Sequence, residues 1–313
     1  MTQLTPEYYS DFHCIADACR HCCCIGWEID IDPDTADWYR ELPGPLGERL
    51  RGCISWEEQP HFTLTAEERC PLLEPSGLCS LILEAGEDSL CDICAEHPRF
   101  YNWYDDRVER GIGLCCEAAA ALILGSREPF SLLAEGTPYC PTGKAAERDA
   151  LLALARDRSV SFEERCRAIL LRCGWKTPPQ WNHRDWAARY ALLEVLDPEW
   201  SAALAALAVW DGAGTAEYRQ QASAWETEYE QLLCYFIYRH YLTMEETFGA
   251  AAAAGFAVLS CAVIFWLQAM EQAVEFSRRA ELARRYSSEI EYSDENPQQL
   301  CELLAAQAAG ETK

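Results

Sequence analysis

Thr247–Met270, "TFGAAAAAGFAVLSCAVIFWLQAM", carries no charge for 24 residues, enough for a helix to cross a bilayer. Its reading decides the fold: either a membrane span, or the central helix of an α-helical core. The first half is alanine and glycine. Glu245, Glu246 and Glu271 flank it, with no excess of Lys or Arg on either side, so the positive bias that orients spanning helices is missing. The stretch is read as a buried helix, and no membrane is expected as a partner.

Working outward, the second half of the chain reads as helix throughout. "SFEERCRAILLRCG" opens on Ser161 with Glu164 three residues later, a capping box, and closes at Gly174. Further helices are expected over Asp185–Leu196, Pro198–Val209, Ala216–Met244, Phe248–Met270, Glu271–Tyr286 and Pro297–Ala309. Strand-like alternation is scarce, with Trp27–Asp32 the best short case. Asp211-Gly-Ala-Gly214 has the look of a nucleotide loop, but it follows a helix and no β-α repeat surrounds it. It is read as an inter-helical turn, so a Rossmann fold is not expected. The fold class is mainly α.

Of the 313 residues 51 are acidic and 26 basic, a formal charge of −25. Such a surface repels phosphate backbones and argues against nucleic acid, while attracting cations and lysines. "MTQLTPEYYSDFHC" has neither a basic nor an apolar leader region, so the expected compartment is the cytoplasm. There thiols stay reduced, and eighteen cysteines point to metal or catalysis rather than disulfides.

Twelve of those cysteines lie in the first 116 residues. The expected organisation is therefore a cysteine-rich metal-binding module over residues 1–140, packed on a helical module over 141–313. "CRHCCCIGW" (Cys19–Trp27) alone holds four cysteines. Cys91-Asp-Ile-Cys94 is a knuckle that lets two thiolates reach one metal from one turn. Structural zinc prefers two paired knuckles, and only one clean knuckle is present. Thiols beyond zinc's needs favour iron–sulfur. Cys14-x4-Cys19-x2-Cys22 also reproduces a two-iron ferredoxin spacing, with Cys53 as fourth ligand, whereas C-x3-C-x2-C is not met. Cys23 and Cys24 are adjacent, so they either bend through a turn to one site or serve different partners. His97, before Pro98, is read as a turn residue. Cys53, Cys140, Cys166, Cys173, Cys234, Cys261 and Cys301 are read as small buried hydrophobes.

"FHCIADACRHCCCIGWEIDID", "RCPLLEPSGLCSLILEAGEDSLCDICAEHPRFY", "LCCEAAALIL", "YFIYRHYL" and "SEIEYSDENPQQL" together resemble the flagellin lysine-N-methylase family, related to zinc- or iron-chelating proteins. The family cysteines match Cys14, Cys19, Cys23, Cys24, Cys70, Cys79, Cys91, Cys94 and Cys115, and Gly26, Trp27, Arg99 and Glu117 match beside them. Cys22, Cys116 and Tyr292 depart from the pattern; Tyr292 stands where the family usually has histidine. Cys22 and Cys116 are therefore read as extra thiols. The resemblance implies methyl transfer from S-adenosylmethionine to surface lysines of flagellin or a related protein, and a [4Fe–4S] cluster.

Lysine at pKa ~10.4 is protonated at neutral pH, so methyl transfer needs a base or a desolvated pocket. "RFYNWYDDR" (Arg99–Arg107) offers Tyr101, Tyr104, Asp105 and Asp106 as catalytic candidates beside an aromatic wall that holds cations. Trp27, Arg99 and Trp103 are the candidate cofactor contacts. The rival reading is a non-enzymatic iron–sulfur or zinc protein with a redox or interaction role.

Overall fold

A computed structural model describes residues 1–310. By its contacts the chain divides into two compact units: residues 13–100, and residues 1–12 together with the chain from Tyr101 onward. The boundary drawn at 140 from cysteine density falls inside the second unit. The reason is strand pairing: β1 (Thr2–Pro6), at the N-terminus, belongs to a sheet whose other strands lie past residue 98.

Residues 13–100 hold short elements. β2 (Ile29–Asp30) is followed by α1 (Pro33–Glu41), which starts where Asp32 Oδ1 accepts from Thr35 N at 2.9 Å and Pro33 fills the first turn. Next come α2 (Gly44–Cys53), β3 (Ile54–Ser55) and β4 (His61–Phe62), and the three strands form a small antiparallel sheet in the order β2-β4-β3. α3 (Ser80–Ala85) and α4 (Asp92–Glu96) complete the unit. Of the strand expected over Trp27–Asp32 only Ile29–Asp30 pairs, because β4 offers just two residues to it. The core is Ile29, Ile31, Tyr39, Leu50, Phe62, Leu72 and Leu81, with Cys70 and Cys91 buried among them.

The larger unit carries a four-stranded sheet in the order β5-β6-β1-β7, where β5 is Arg99–Trp103, β6 Arg107–Ile112 and β7 Leu132–Glu135. β1 runs parallel to β6 (Leu4↔Glu109) and antiparallel to β7 (Leu4↔Ala134). α5 (Glu117–Gly125) lies between β6 and β7 in the chain. Helices then follow without further strands among the described residues: α6 (Gly143–Ala155), α7 (Phe162–Arg172), α8 (His183–Tyr190), α9 (Pro198–Val209), α10 (Thr215–Ala222), α11 (Glu226–Phe248), α12 (Ala250–Glu271), α13 (Phe276–Ile290) and α14 (Asn296–Ala309).

α12 is the apolar stretch that opened the sequence. It is long and apolar enough to span a membrane, and it is mostly buried here, packed on α11, α14 and α13. Gly255 lets it approach its neighbours: a Cβ there would stand 3.1 Å from the Trp175 ring and 3.3 Å from Leu304. α11 and α12 turn back on each other through Gly249 at φ 85°, ψ 161°, a conformation open only to glycine. Gly249→Ala is expected to cost about 1–2 kcal/mol through this backbone strain. Nothing crowds the new methyl group, so a denaturant midpoint unchanged from wild type would contradict that account.

The Ser161 capping box forms as read, with Ser161 Oγ accepting from Glu164 N and Glu164 Oε2 accepting from Ser161 N. Three helix readings are corrected. The helix expected over 185–196 stops at Tyr190, because Glu194 N and Leu196 N donate instead to Asn296 Oδ1 and Glu289 Oε2, both at 3.0 Å. The helix expected over 216–244 breaks at Ser223–Trp225, where Trp225 packs 4.0 Å beneath the Arg279 guanidinium. The helix expected from Glu271 begins only at Phe276, after Gln272 adopts a left-handed conformation. Asp211–Gly214 is a turn between α9 and α10, as expected.

Candidate functional site

In residues 13–100 the backbone brings distant cysteines together. Gly26 N donates to Glu68 O and Cys70 N to Cys24 O, both at 2.8 Å, so the N-terminal cluster lies against the Cys70-Pro71 turn. Ser80 N donates to Leu72 O at 2.8 Å and carries Cys79 to the same place. Cys91 stands at the start of α4, and Asp92 N is tied to Asp32 Oδ2 at 3.0 Å. Cys24, Cys53, Cys79 and Cys94 then pack on the core that buries Cys70 and Cys91.

Thiol electrostatics follow from this gathering. Cys23 and Cys24 bend through the turn and hydrogen-bond each other. That bond from Cys24 brings the Cys23 thiol down to about 7, while the same bond and burial push Cys24 up. Cys91 and Cys94 repeat the arrangement: Cys94 lowers Cys91 and is itself raised. Burial pushes Cys70 up to about 11, with Cys79, Cys53 and Cys22 adding negative charge nearby. Cys22, read as an extra thiol, thus faces both Cys24 and Cys70.

Six of the nine candidate ligands (Cys23, Cys24, Cys70, Cys79, Cys91 and Cys94) belong to this gathering. Cys14 is exposed, its sulfur accepting from Ala16 N at 3.4 Å, and Cys19 donates to His21 O at 3.2 Å. Cys115 belongs to the larger unit. Among the described residues no three Cys, His, Asp or Glu side chains converge as a metal-binding set. The donor chemistry suits an iron–sulfur group, but the thiols stand as hydrogen-bonded pairs rather than as a ligand triad or tetrad. Trp27 closes the turn by donating from its indole to Cys23 O at 2.8 Å, with its ring 6.3 Å from His97. Arg99 reaches Ala95 O at 3.5 Å. Of the cysteines read as buried hydrophobes, Cys166, Cys173, Cys234, Cys261 and Cys301 are buried; Cys140 is exposed and Cys53 half-buried. Cys140 lies in the irregular segment before α6.

The aromatic candidates separate. Trp27 and Arg99 lie in residues 13–100, while Tyr101, Trp103, Tyr104, Asp105 and Asp106 open the larger unit. Tyr101 and Trp103 stack at 6.3 Å, and Trp103 is 71% exposed. Tyr104 lies under the Arg107 guanidinium at 4.2 Å and is pushed up to about 12 by burial. Asp106 pairs with Arg107 at 2.8 Å, and Asp105 is exposed. Tyr104 and Asp106 are thus already occupied by a cation of the protein itself.

A second polar group lies wholly in the larger unit. Glu291, directly after α13, has a fully buried carboxylate that accepts from Tyr235 Oη at 3.0 and 3.1 Å, meets His240 Nε2 at 2.5 Å and faces Arg239 at 3.4 Å. Arg239 in turn donates to Tyr235 Oη at 2.7 Å, and Tyr235 Oη accepts from Leu114 N at 3.0 Å. Burial opposes the Glu291 charge, yet Arg239, His240 and Ser287 bring its carboxyl below the usual range. Cys115 hydrogen-bonds Tyr292 beside Arg239, and burial pushes its thiol up to about 12. Tyr235, Arg239, His240 and Glu291 were not singled out as site residues in the sequence, although "YFIYRHYL" and "SEIEYSDENPQQL" contain them. Two shallow grooves of about 210 and 340 Å3 open between α8 and α14, around Trp181, Trp186 and Leu192. None of the cysteines or polar residues above lines them.

The chain is similar to known proteins over 42% of its length. It is 25% identical over 146 residues to the Lysine-N-methylases of Salmonella choleraesuis and Salmonella typhimurium, 35% of each relative. It is 24% identical over 139 residues to the Flagellar biosynthetic protein FliU of Salmonella muenchen, 82% of that protein. No family model matches the chain, and no solved structure matches it significantly. The chain thus has a distant similarity to lysine-N-methylases, matching about a third of their length.

Proposed function

We propose that the chain is a protein-lysine N-methyltransferase that takes its methyl group from S-adenosylmethionine and acts in the cytoplasm on surface lysines of flagellin or a related protein. The similarity to two Lysine-N-methylases carries this reading. The net charge of −25 supports it, since such a surface draws in lysine-bearing partners. S-adenosylmethionine supplies an electrophilic methyl; the protein must present a neutral amine in line with it.

We propose further that the cysteines of residues 13–100 hold a [4Fe–4S] cluster. Cys23, Cys24, Cys70, Cys79, Cys91 and Cys94 are the leading ligand candidates, because the last five lie in or against one core and Cys23 hydrogen-bonds Cys24. Cys14 and Cys19 remain candidates on the adjoining loop. No catalytic step is assigned to the cluster. The hydrogen-bonded thiol pairs also favour a second reading, a thiol-based metal or redox protein without methyl transfer.

The test is anaerobic purification of the full chain, iron, sulfide and zinc analysis, then transfer of labelled methyl to flagellin and to lysine peptides. Label on lysine is expected, with iron and sulfide in equal amounts. Cys91→Ser combined with Cys94→Ser is expected to lower iron at least several-fold. Iron unchanged in that variant would remove the pair from the ligand set. Metal without any methyl transfer would favour the second reading.

A further inference from the structure

The geometry points to His240 as the base that takes the proton from the substrate lysine, with Glu291 as its positioning residue, in a catalytic group of the larger unit separate from the cysteines of residues 13–100. This rests on the methyltransferase reading above. His240 lies on α11, one turn after Phe236, whose ring stacks on it at 6.5 Å, and the Phe256 ring meets it edge-on at 5.4 Å. Those rings fix the imidazole plane and make an apolar wall. At one end of the imidazole, Nε2 meets the Glu291 carboxylate at 2.5 Å. With the proton on Nε2, Nδ1 is left as the acceptor, and among the described residues it has no hydrogen-bond partner.

A carboxylate behind a histidine holds the tautomer and steadies the imidazolium that forms when the ring accepts a proton. Glu291 is itself over-determined, held by Tyr235 and Arg239 and fully buried, while His240 keeps 16% of its side-chain surface exposed. A salt bridge serving only to tie α11 to the end of α13 has no need of the histidine, since Arg239 and Tyr235 already supply that link. Burial lowers the His240 pKa, against the raising hydrogen bond and charge of Glu291.

The step balances. The lysine ammonium gives one proton to Nδ1, and the neutral amine's lone pair forms the nitrogen–carbon bond to the methyl group. The carbon–sulfur bond breaks with its electron pair going to sulfur, which leaves as a neutral thioether. The product is a methylammonium, and the imidazolium releases its proton to water. The apolar Phe236 and Phe256 rings favour amine over ammonium at the point of transfer.

The experiment compares the full-length wild type with His240→Ala and His240→Gln, using methyl transfer to a lysine peptide with and without added imidazole. Circular dichroism melts check the fold, and diethyl pyrocarbonate with peptide mapping reports whether His240 Nδ1 is open. The expected result is a fall in kcat of about a hundredfold to ten-thousandfold, at least tenfold restored by imidazole in His240→Ala, and carbethoxylation of wild-type His240. A purely structural residue gives no imidazole rescue. Transfer within about threefold of wild type, a folded but unrescued His240→Ala, or an unmodified His240 would each overturn the base assignment. A wild type without transfer to any lysine sinks the methylation reading itself, and the base role with it.

Discussion

Glu109→Ala is expected to lower the unfolding free energy by about 3–5 kcal/mol, a large share of the roughly 5–15 kcal/mol that holds a domain together. Glu109 on β6 and Arg148 on α6 are both wholly buried and joined by two hydrogen bonds, of 2.8 and 3.0 Å. Arg107 adds a third contact at 2.7 Å. Removing the carboxylate takes away the buried partner of two buried guanidiniums, leaving Arg107 with Asp106 and Arg148 with Asp149. The intact pair need not stabilise the fold over an apolar replacement, because desolvation offsets much of its attraction. Glu109→Leu combined with Arg148→Met is therefore expected to be less damaging than Glu109→Ala alone. Urea denaturation of the wild type and the two variants measures both statements. A loss under about 1 kcal/mol for Glu109→Ala would contradict the burial of the pair.

Glu289 gives the second large effect, and it depends on pH. Burial raises its carboxyl to about 7 from an ordinary 4.5, against the lowering hydrogen bond from Leu196 N and with Asp197 adding to the rise. The folded protein thus holds this proton more tightly than the unfolded chain. The group's contribution is fully present below about pH 4.5 and is lost as pH rises through about 7. The size is of order 2–3 kcal/mol. Glu289→Gln keeps an oxygen for Leu196 N and removes the titration, so its stability relative to wild type is expected to rise between pH 5 and pH 8. A constant difference across that range in denaturant titrations would show that Glu289 does not titrate in the folded state.

The helical half was legible because its signals are local. Asp197 caps α9 with Pro198 in its first turn, and Ser161 with Glu164 completes a capping box within four residues. Helix ends that tertiary partners set were misread: the chain after Tyr190 leaves the helix for Asn296 and Glu289, about a hundred residues on. The four-stranded sheet was missed for a related reason. "RVERGI" is buried at five of its six positions, so it lacks the alternation that marks a half-exposed strand. β1 gains its place only through pairing with β6 and β7, and no local pattern announces partners a hundred residues or more away.

The candidate sites divide the same way. Residue type and density marked the cysteines, and the structure sets five of the nine chosen (Cys24, Cys70, Cys79, Cys91 and Cys94) in or against one core, with Cys23 exposed beside Cys24, Cys14 and Cys19 outside it and Cys115 in the other unit. By itself the sequence determined a mainly helical chain, a long apolar helix at α12 and a cysteine-dense first part, because helix periodicity, capping and composition act over a few residues. Only the tertiary structure decided that the units divide at residues 12 and 100 and that His240 meets Glu291 across 51 positions. Long-range pairing depends on which surfaces are complementary once folded, and neither side of such a contact carries a local signature of the other.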